Sequence, residues 1–242
     1  MSLKFGDFKP YHRICIIYKK GYVYWYHRIE RIKKVTILNN DIKSYLEKLK
    51  SKSATPGGGS VSAITAMQGV ALNLMVIELT IGKKGYEQHQ EFLIKEKAKN
   101  ERLYQECLKA ADKDIEAYNG FLEAYRLPKD TEDEKKAREK AINEATINAI
   151  MSPIYTMELC KSGVGYIREI LFKTNKMAIS DLISAAIMFE ASCKSTSLNV
   201  KINAKFLQNR KEAEKFLSMA DNLIVDVSKI VGEILEIAVP RL

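Results

Sequence analysis

The chain has 242 residues, 46% of them hydrophobic, which suits one globular domain with or without an appendage. Its four cysteines, at positions 15, 107, 160 and 193, are widely spaced, so a disulfide framework and a structural zinc site are disfavoured. Only three histidines are present, and none has the spacing of a metal-ligand pair, so we expect no metal site.

The net charge of +9 is concentrated near the start of the chain. Residues 1–34 contain nine Lys or Arg and two acidic residues, which leaves 30 of the 39 basic and 28 of the 30 acidic residues for the rest. Because the body is nearly neutral, we expect no nucleic-acid partner. The first residues carry charges and lack an apolar core, which argues against a secretory signal, so we expect a cytoplasmic protein.

Residues 1–35 are predicted to be an N-terminal extension that forms a small β-hairpin. Two β-prone runs, at residues 14–18 and 22–26, flank a turn-prone Lys-Lys-Gly. Interleaved aromatic and basic residues can stack on nucleic-acid bases, but this composition is a weak motif, and a structural appendage is the simpler interpretation.

Residues 36–242 are predicted to fold as an all-α bundle of long helices, with no strand after residue 38. Apolar spacing indicates a first helix through Ile42, Tyr45, Leu46 and Leu49, helices at about residues 60–80 and 86–126, and a last helix at about residues 209–239. Asn39 or Asn40 is expected to cap the first helix, and Ser180 a later one. Thr131 and Glu134 form a capping box.

Two segments of the helical region, one around Pro153 and one apolar, each allow two structural interpretations. Pro153 is expected to kink or interrupt the helix that follows the capping box, since proline lacks a backbone N–H. The apolar stretch Val61–Ile81 is long enough to suggest a membrane span, but it contains Asn73, Glu78 and several small residues. A helix buried among other helices explains it better, so we expect no membrane association.

The glycine-rich segment that precedes the second helix is the first candidate site, and its members are Pro56, Gly57, Gly58, Gly59 and Ser60. Backbone N–H groups at a helix start, bare of side chains, suit an anion such as a phosphate or a carboxylate. A tight turn with close helix packing is the structural alternative.

The second candidate is a pair of lysines, Lys83 and Lys84, in a turn about one helix length from the glycines. They suit a polyanionic tail, whereas a solvated turn is the simpler interpretation.

Asp114 is the candidate for acid–base chemistry. It lies four residues before Tyr118, on a helix face with Cys107 and Leu122 that we expect to point inward. A buried carboxyl has a raised pKa and can act as a general acid or base; the alternative is a structural hydrogen bond to a helix end.

Downstream polar residues form a last group. Arg126 is at the end of the helix that contains Asp114. Asn199 and Asn203 are four residues apart, so their amides share one helix face and suit the donor–acceptor edge of a heterocycle. Asp181 is a further candidate, with an acidic first turn of a helix as its alternative role.

These segments together resemble a known family. The chain contains, in order, ATPGGGSVSA, LTIGKKGY, DIEAYNGFLEAYRLPKDTEDEKKAR, ISDL and LNVKINAK, at separations similar to those of the folate cyclodeaminase/cyclohydrolase family. The resemblance covers about residues 36–242. Gly85 departs from the pattern, because the family usually has a basic or polar residue there, and residues 1–34 have no counterpart.

The resemblance implies an all-helical enzyme that acts on a tetrahydrofolate derivative without a tightly bound cofactor. It implies Asp114 as the catalytic residue, the remaining candidates as contacts to a folate that can carry several glutamates, and a homodimer. A cyclohydrolase converts 5,10-methenyltetrahydrofolate and water to 10-formyltetrahydrofolate, whereas a cyclodeaminase closes 5-formiminotetrahydrofolate and releases ammonia.

The choice between the two reactions depends on what accompanies the domain. A cyclodeaminase needs a formiminotransferase to supply its substrate, and the N-terminal extension is too short to be one, so we expect a cyclohydrolase. A helical adaptor without catalysis, docking through residues 1–34, is the alternative from another class.

Overall fold

The computed structural model describes residues 15–19, 22–26 and 41–242, and the chain divides into two units, residues 1–39 and 40–242. In the first unit, strands β1 (Cys15–Lys19) and β2 (Tyr22–Tyr26) pair antiparallel. The turn predicted between them lies outside the described residues, as do Asn39 and Asn40.

The second unit is built from six α-helices, and residues 41–242 contain no strand. This confirms the prediction of an all-α bundle. The helices are α1 (Ile42–Leu49), α2 (Gly58–Glu78), α3 (Gln90–Tyr125), α4 (Glu132–Ile170), α5 (Ile179–Ala204) and α6 (Arg210–Ala238).

Helices α2 to α5 form a closed four-helix arrangement in which each packs against the next and α5 packs back on α2, while α6 covers α4 and α5. Hydrogen bonds at both ends show that α2 and α3 are antiparallel. Gln90 at the start of α3 donates to the carbonyl of Thr80 after the end of α2. At the other end, Ser60 in the first turn of α2 donates to Asp114, far along α3.

Two predicted helix starts are wrong and two are confirmed. Asp41, not Asn39 or Asn40, caps α1, because its carboxylate accepts the backbone N–H of Ser44 at 2.9 Å. Ser180 lies inside the first turn of α5, since the 3₁₀ turn Lys176–Ala178 leads directly into that helix. The capping box at the start of α4 is present, and α6 begins directly after Asn209, as its apolar spacing predicts.

Helix α4 runs through Pro153 without interruption over 39 residues, so the prediction of an interruption there is wrong. Pro153 is buried, and α4 packs against both α3 and α5. Tertiary packing therefore outweighs the loss of one helical hydrogen bond, a loss that sequence alone weighs against the helix.

Among the described residues, one helix, α2, has the length and apolar composition of a membrane span. It is packed between α3 and α5, and its buried Asn73 donates a hydrogen bond of 3.3 Å to the side chain of Asn100 in α3. These contacts are those of a core helix.

The centre of the bundle depends on two glycines around one aromatic ring. Phe189 of α5 is fully buried, and its ring lies against Gly69 of α2 and Gly163 of α4. A Cβ atom on Gly163 would lie 2.3 Å from the ring, so only glycine lets α4 approach α5 this closely.

We expect Gly163→Ala to lower the free energy of unfolding by about 1–3 kcal/mol, because the added methyl group overlaps the Phe189 ring and overpacks the core. The matched control is Gly165→Ala in the same helix, where nothing lies within 4 Å of an added Cβ, and there we expect a gain of up to about 1 kcal/mol from helix propensity. Urea denaturation of both variants measures the difference, and equal stabilities would contradict the packing argument.

Candidate functional site

The start of α2 leaves backbone donors open. Gly57 is the N-cap residue and has no side chain that can accept a hydrogen bond from the first turn, Gly58 to Ser60. The first N–H groups of a helix have no partner within the helix, so an acceptor must come from another part of the chain.

Asp114 of α3 is that acceptor. The Ser60 hydroxyl donates to its Oδ2 at 3.1 Å. A Cβ atom on Gly59 would lie 2.0 Å from Oδ1, so the carboxylate is seated against the bare backbone of that glycine. The sequence predicted an external anion at this helix start, but a carboxylate of the protein itself occupies the place beside Gly59 and Ser60, where the helix dipole favours it.

The environment of Asp114 is partly buried and shifts its proton affinity. Burial raises the pKa of the carboxyl above its ordinary value, because the charged form loses solvent. Hydrogen bonds from the Ser60 hydroxyl and backbone N–H oppose this shift. The arrangement combines the two roles that the sequence left open, a hydrogen bond to a helix end and a carboxyl with a raised pKa.

Asp114 also lines a cavity of ≈ 360 Å³. This volume lies within the range of small-molecule sites, about 300–1,000 Å³. The glycine-rich segment, α3, α4 and α5 all contribute to its wall, through Ala54, Thr55, Gly57, Gly58, Gly59, Asp114, Ala117, Tyr118, Phe121, Thr146, Ala149, Asn199, Ile202, Asn203 and Phe206.

One wall of the cavity is aromatic. The rings of Phe121 and Phe206 are tilted, with centroids 5.8 Å apart, and Phe121 also stacks on Tyr125 at 6.3 Å. Tyr118, one turn after Asp114, lies beside Phe121 in the lining. An apolar wall opposite a few polar groups suits a flat ring compound that carries hydrogen-bonding edges.

Both predicted asparagines reach the cavity from α5. The Asn203 side-chain nitrogen donates to the backbone carbonyl of Ala149 in α4 at 2.7 Å. No described residue is hydrogen-bonded to the Asn203 side-chain oxygen. One end of this amide is therefore held by the protein, and the other remains an acceptor.

The structure does not bring every candidate residue to the cavity. Lys83 and Lys84 are exposed in the turn after α2, at the opposite end of that 21-residue helix, about 30 Å away at the usual helical rise. Asp181 is in the first turn of α5, about 27 Å along that helix from Asn199. These three residues lie toward the other end of the bundle.

Pro56 and Arg126 also stand apart from the lining. Pro56 is buried beside the glycines, and Arg126 is the exposed C-cap of α3.

Gly85, the departure from the family pattern, has a φ of 90°, and its N–H donates to the Glu87 carboxylate. A positive φ favours glycine, which accounts for the residue at this turn.

Four residues that α4, α5 and the turn after α5 contribute to the cavity wall were not predicted from sequence: Thr146 and Ala149 of α4, Ile202 of α5, and Phe206 just after α5. Thr146, Ala149 and Phe206 lie outside the quoted motifs, and Ile202 lies inside LNVKINAK without a polar group to single it out. They line the cavity with Asp114 only because the helices pack together. The described residues contain no cluster of three or more potential metal ligands. Burial raises the pKa of Cys107 and Cys193 to about 12, so neither is a thiolate at neutral pH.

A helical bundle with a half-buried carboxylate in a partly aromatic cavity belongs to the class of small-molecule-binding proteins with acid–base capacity. Residues 41–222 match the family model of formiminotransferase-cyclodeaminase, and the chain belongs to this family. The resemblance seen in the motifs is thereby confirmed.

Individual relatives differ in how much of their length this chain covers. It is 35% identical over 198 residues to a methenyltetrahydrofolate cyclohydrolase of Methylorubrum extorquens, covering 82% of this chain and 95% of that protein. It is 30% identical to the formimidoyltransferase-cyclodeaminase of Sus scrofa, but covers only 31% of that protein. A formiminotetrahydrofolate cyclodeaminase structure from Thermotoga maritima has the same fold, with a TM-score of 0.75, 22% identity and coverage of 84% of this chain and 98% of that one.

We expect Gly59→Ala to lower kcat about 100-fold, because the methyl group must displace the Asp114 carboxylate by more than 1 Å, and a misplacement of that size costs about this much. Gly58→Ala is the matched control: it adds the same methyl group one residue earlier, where nothing lies within 4 Å, so its loss should be much smaller. Steady-state kinetics of both variants compare them, and similar losses would mean that Asp114 is not held by Gly59.

Proposed function

We propose that this protein is an enzyme of tetrahydrofolate one-carbon interconversion that acts as a methenyltetrahydrofolate cyclohydrolase. The observation that carries the proposal is the Asp114 carboxyl, which lines the cavity and is seated against the first turn of α2. The choice of cyclohydrolase is supported by the Methylorubrum relative, of which this chain covers nearly the whole length. The cyclodeaminases of Sus scrofa and other animals match over about a third of theirs.

Asp114 serves as the proton carrier in this proposal. As a carboxylate it removes a proton from water while the water oxygen bonds to the methenyl carbon, which becomes tetrahedral between N5 and N10. The carboxylic acid then returns that proton to N5 as the bond from carbon to N5 breaks. The carbon is then a protonated formyl group on N10 (N10=CH–OH⁺), because the N10 lone pair replaces the bond lost to N5. Loss of its hydroxyl proton to solvent gives 10-formyltetrahydrofolate. A raised pKa suits a group that both accepts and donates a proton.

The composition of the cavity wall supports a placement of the substrate within this proposal. The bicyclic ring system lies against the aromatic wall of Tyr118, Phe121 and Phe206, and its polar edge faces Asn199 and Asn203. No tightly bound cofactor is part of the proposal, because one positioned carboxyl supplies both proton transfers.

A homodimer in the cytoplasm is the proposed form of the enzyme. Its support is a set of exposed apolar side chains on α2 and α5, at Ala71, Met75, Leu79, Ile187 and Leu198. Glu78 and Lys194, exposed charged residues beside them, are each in an ion pair within the chain. A surface of this kind suits a second copy of the chain.

If two-fold symmetry pairs the α2 helices antiparallel, the partner subunit's Lys83 and Lys84 approach this chain's cavity, where they suit the carboxylates of a polyglutamate tail.

Sedimentation velocity tests the dimer. We expect Ile187→Glu to convert the dimer to a monomer, because it buries an unpaired charge in the proposed interface. The control is Val225→Glu on α6, where an equally apolar and more exposed side chain lies outside the proposed interface and the dimer should persist. A parent protein that sediments as a monomer at micromolar concentration contradicts this part of the proposal.

We expect Asp114→Asn to reduce kcat by about 10²–10⁴ while the protein stays folded, because the amide has the same size but cannot carry a proton. Burial raises the pKa of the folded Asp114, so the folded state holds its proton more tightly than the unfolded chain, and this contribution to stability falls as pH rises through that range. At neutral pH the buried charge of Asp114 gives no stability through its shifted pKa. Its removal in Asp114→Asn therefore should not lower the melting temperature through this effect. A lower melting temperature with activity within threefold of the parent assigns Asp114 a structural role only.

Two substrates distinguish the candidate reactions. Loss of methenyltetrahydrofolate absorbance on addition of enzyme indicates a cyclohydrolase, and its appearance from 5-formiminotetrahydrofolate indicates the cyclodeaminase alternative, which the Thermotoga structure supports at the level of fold. A non-catalytic adaptor would show neither, and would show no rise in melting temperature with either folate.

A further inference from the structure

The carbonyl oxygen of Ala149 is an acceptor that its own helix leaves open. Pro153 is four residues later in the interior of α4, where an ordinary residue would donate its N–H to this oxygen. Proline has no N–H, and its ring also pushes against the carbonyl four residues earlier. Ala149 is one of the residues that line the cavity, and its carbonyl has no N–H donor at the ordinary helical position.

Asn203 of α5 occupies that acceptor. Its side-chain nitrogen lies 2.7 Å from the Ala149 oxygen. Because a carbonyl only accepts, this contact fixes which end of the amide is the nitrogen and directs the Asn203 oxygen away from α4. Asn203 is half-buried in the cavity wall, and none of the described residues donates to that oxygen.

We infer that Pro153 is a positioning residue of the substrate site, acting through Asn203. By withholding an N–H from the Ala149 carbonyl, it lets that carbonyl orient Asn203, whose side-chain oxygen then accepts a hydrogen bond from an N–H on the polar edge of the heterocycle. The inference rests on the proposed folate function for the identity of the heterocycle. The hydrogen bond between Asn203 and Ala149 is independent of it.

Pro153→Ala tests the inference, because it restores the N–H that competes with Asn203 for the Ala149 carbonyl. We expect KM for methenyltetrahydrofolate to rise about 2- to 10-fold, the loss of one neutral hydrogen bond, with kcat near that of the parent. The melting temperature should not fall, since α4 gains a hydrogen bond. An unchanged KM overturns the inference.

A double-mutant cycle tests whether Pro153 acts through Asn203. Asn203→Ala should raise KM by a similar factor, and the double variant Pro153→Ala/Asn203→Ala should raise it no further, because the two residues share one interaction. Multiplied effects mean that Pro153 acts independently, and they overturn the inference. The control is Ser152→Ala, next to Pro153 in α4. Ser152 belongs to a separate groove with Lys113 and Tyr155 and not to the cavity, so KM should stay at the parental value.

A second variant and an NMR measurement test the inference if Pro153→Ala does not fold or if the substrate is not a folate. If Pro153→Ala does not fold, Asn203→Asp replaces it: the carboxylate keeps the size and the acceptor but cannot donate to Ala149, so KM should rise as in Asn203→Ala, and a parental KM overturns the inference. The Asn203 side-chain NH₂ signals in NMR should be protected from solvent exchange in the parent and lose protection in Pro153→Ala. This readout needs no folate, so it separates a failure of the inference from a failure of the proposed function.

Discussion

The contact between Asp114 and the first turn of α2 joins three requirements of different origin. A helix that starts with glycines needs an acceptor for its open N–H groups, and Gly57 offers none. A half-buried carboxylate needs donors, which Ser60 supplies. The two come within reach only because Gly59 has no side chain. This contact fixes the start of α2 at the level of Asp114 on α3. It thereby also fixes the position of the cavity.

The contact has opposite consequences for stability and for chemistry. Its hydrogen bonds hold two helices together, whereas burial of the same carboxyl raises its pKa and disfavours its charged form. A carboxylate placed for packing alone gains nothing from a raised pKa, while a proton carrier does. The cost in stability at neutral pH is of the kind that functional sites commonly carry.

A second open backbone group faces the same cavity from another side. The start of α2 presents N–H donors, and the Ala149 carbonyl above Pro153 presents an acceptor. Each is matched by a side chain from a different helix, Asp114 in one case and Asn203 in the other. Asp114 and Asn203 are thus oriented by backbone groups that lack a hydrogen-bond partner within their own helix. Both side chains are on helices and not on loops, which keeps their positions rigid.

The sequence by itself determined the helical class, because apolar spacing and caps such as Thr131 are local, and it marked the glycines and Asp114 because helix starts and inward faces have local signals. Tertiary structure alone decided which candidates meet. It brought Asn199 and Asn203 to the same cavity as Asp114, left Asp181 about a helix length away, and added Phe206, which no motif marks. It also carried α4 through Pro153, because helix propensity is a local quantity, whereas packing across the bundle depends on residues distant in sequence.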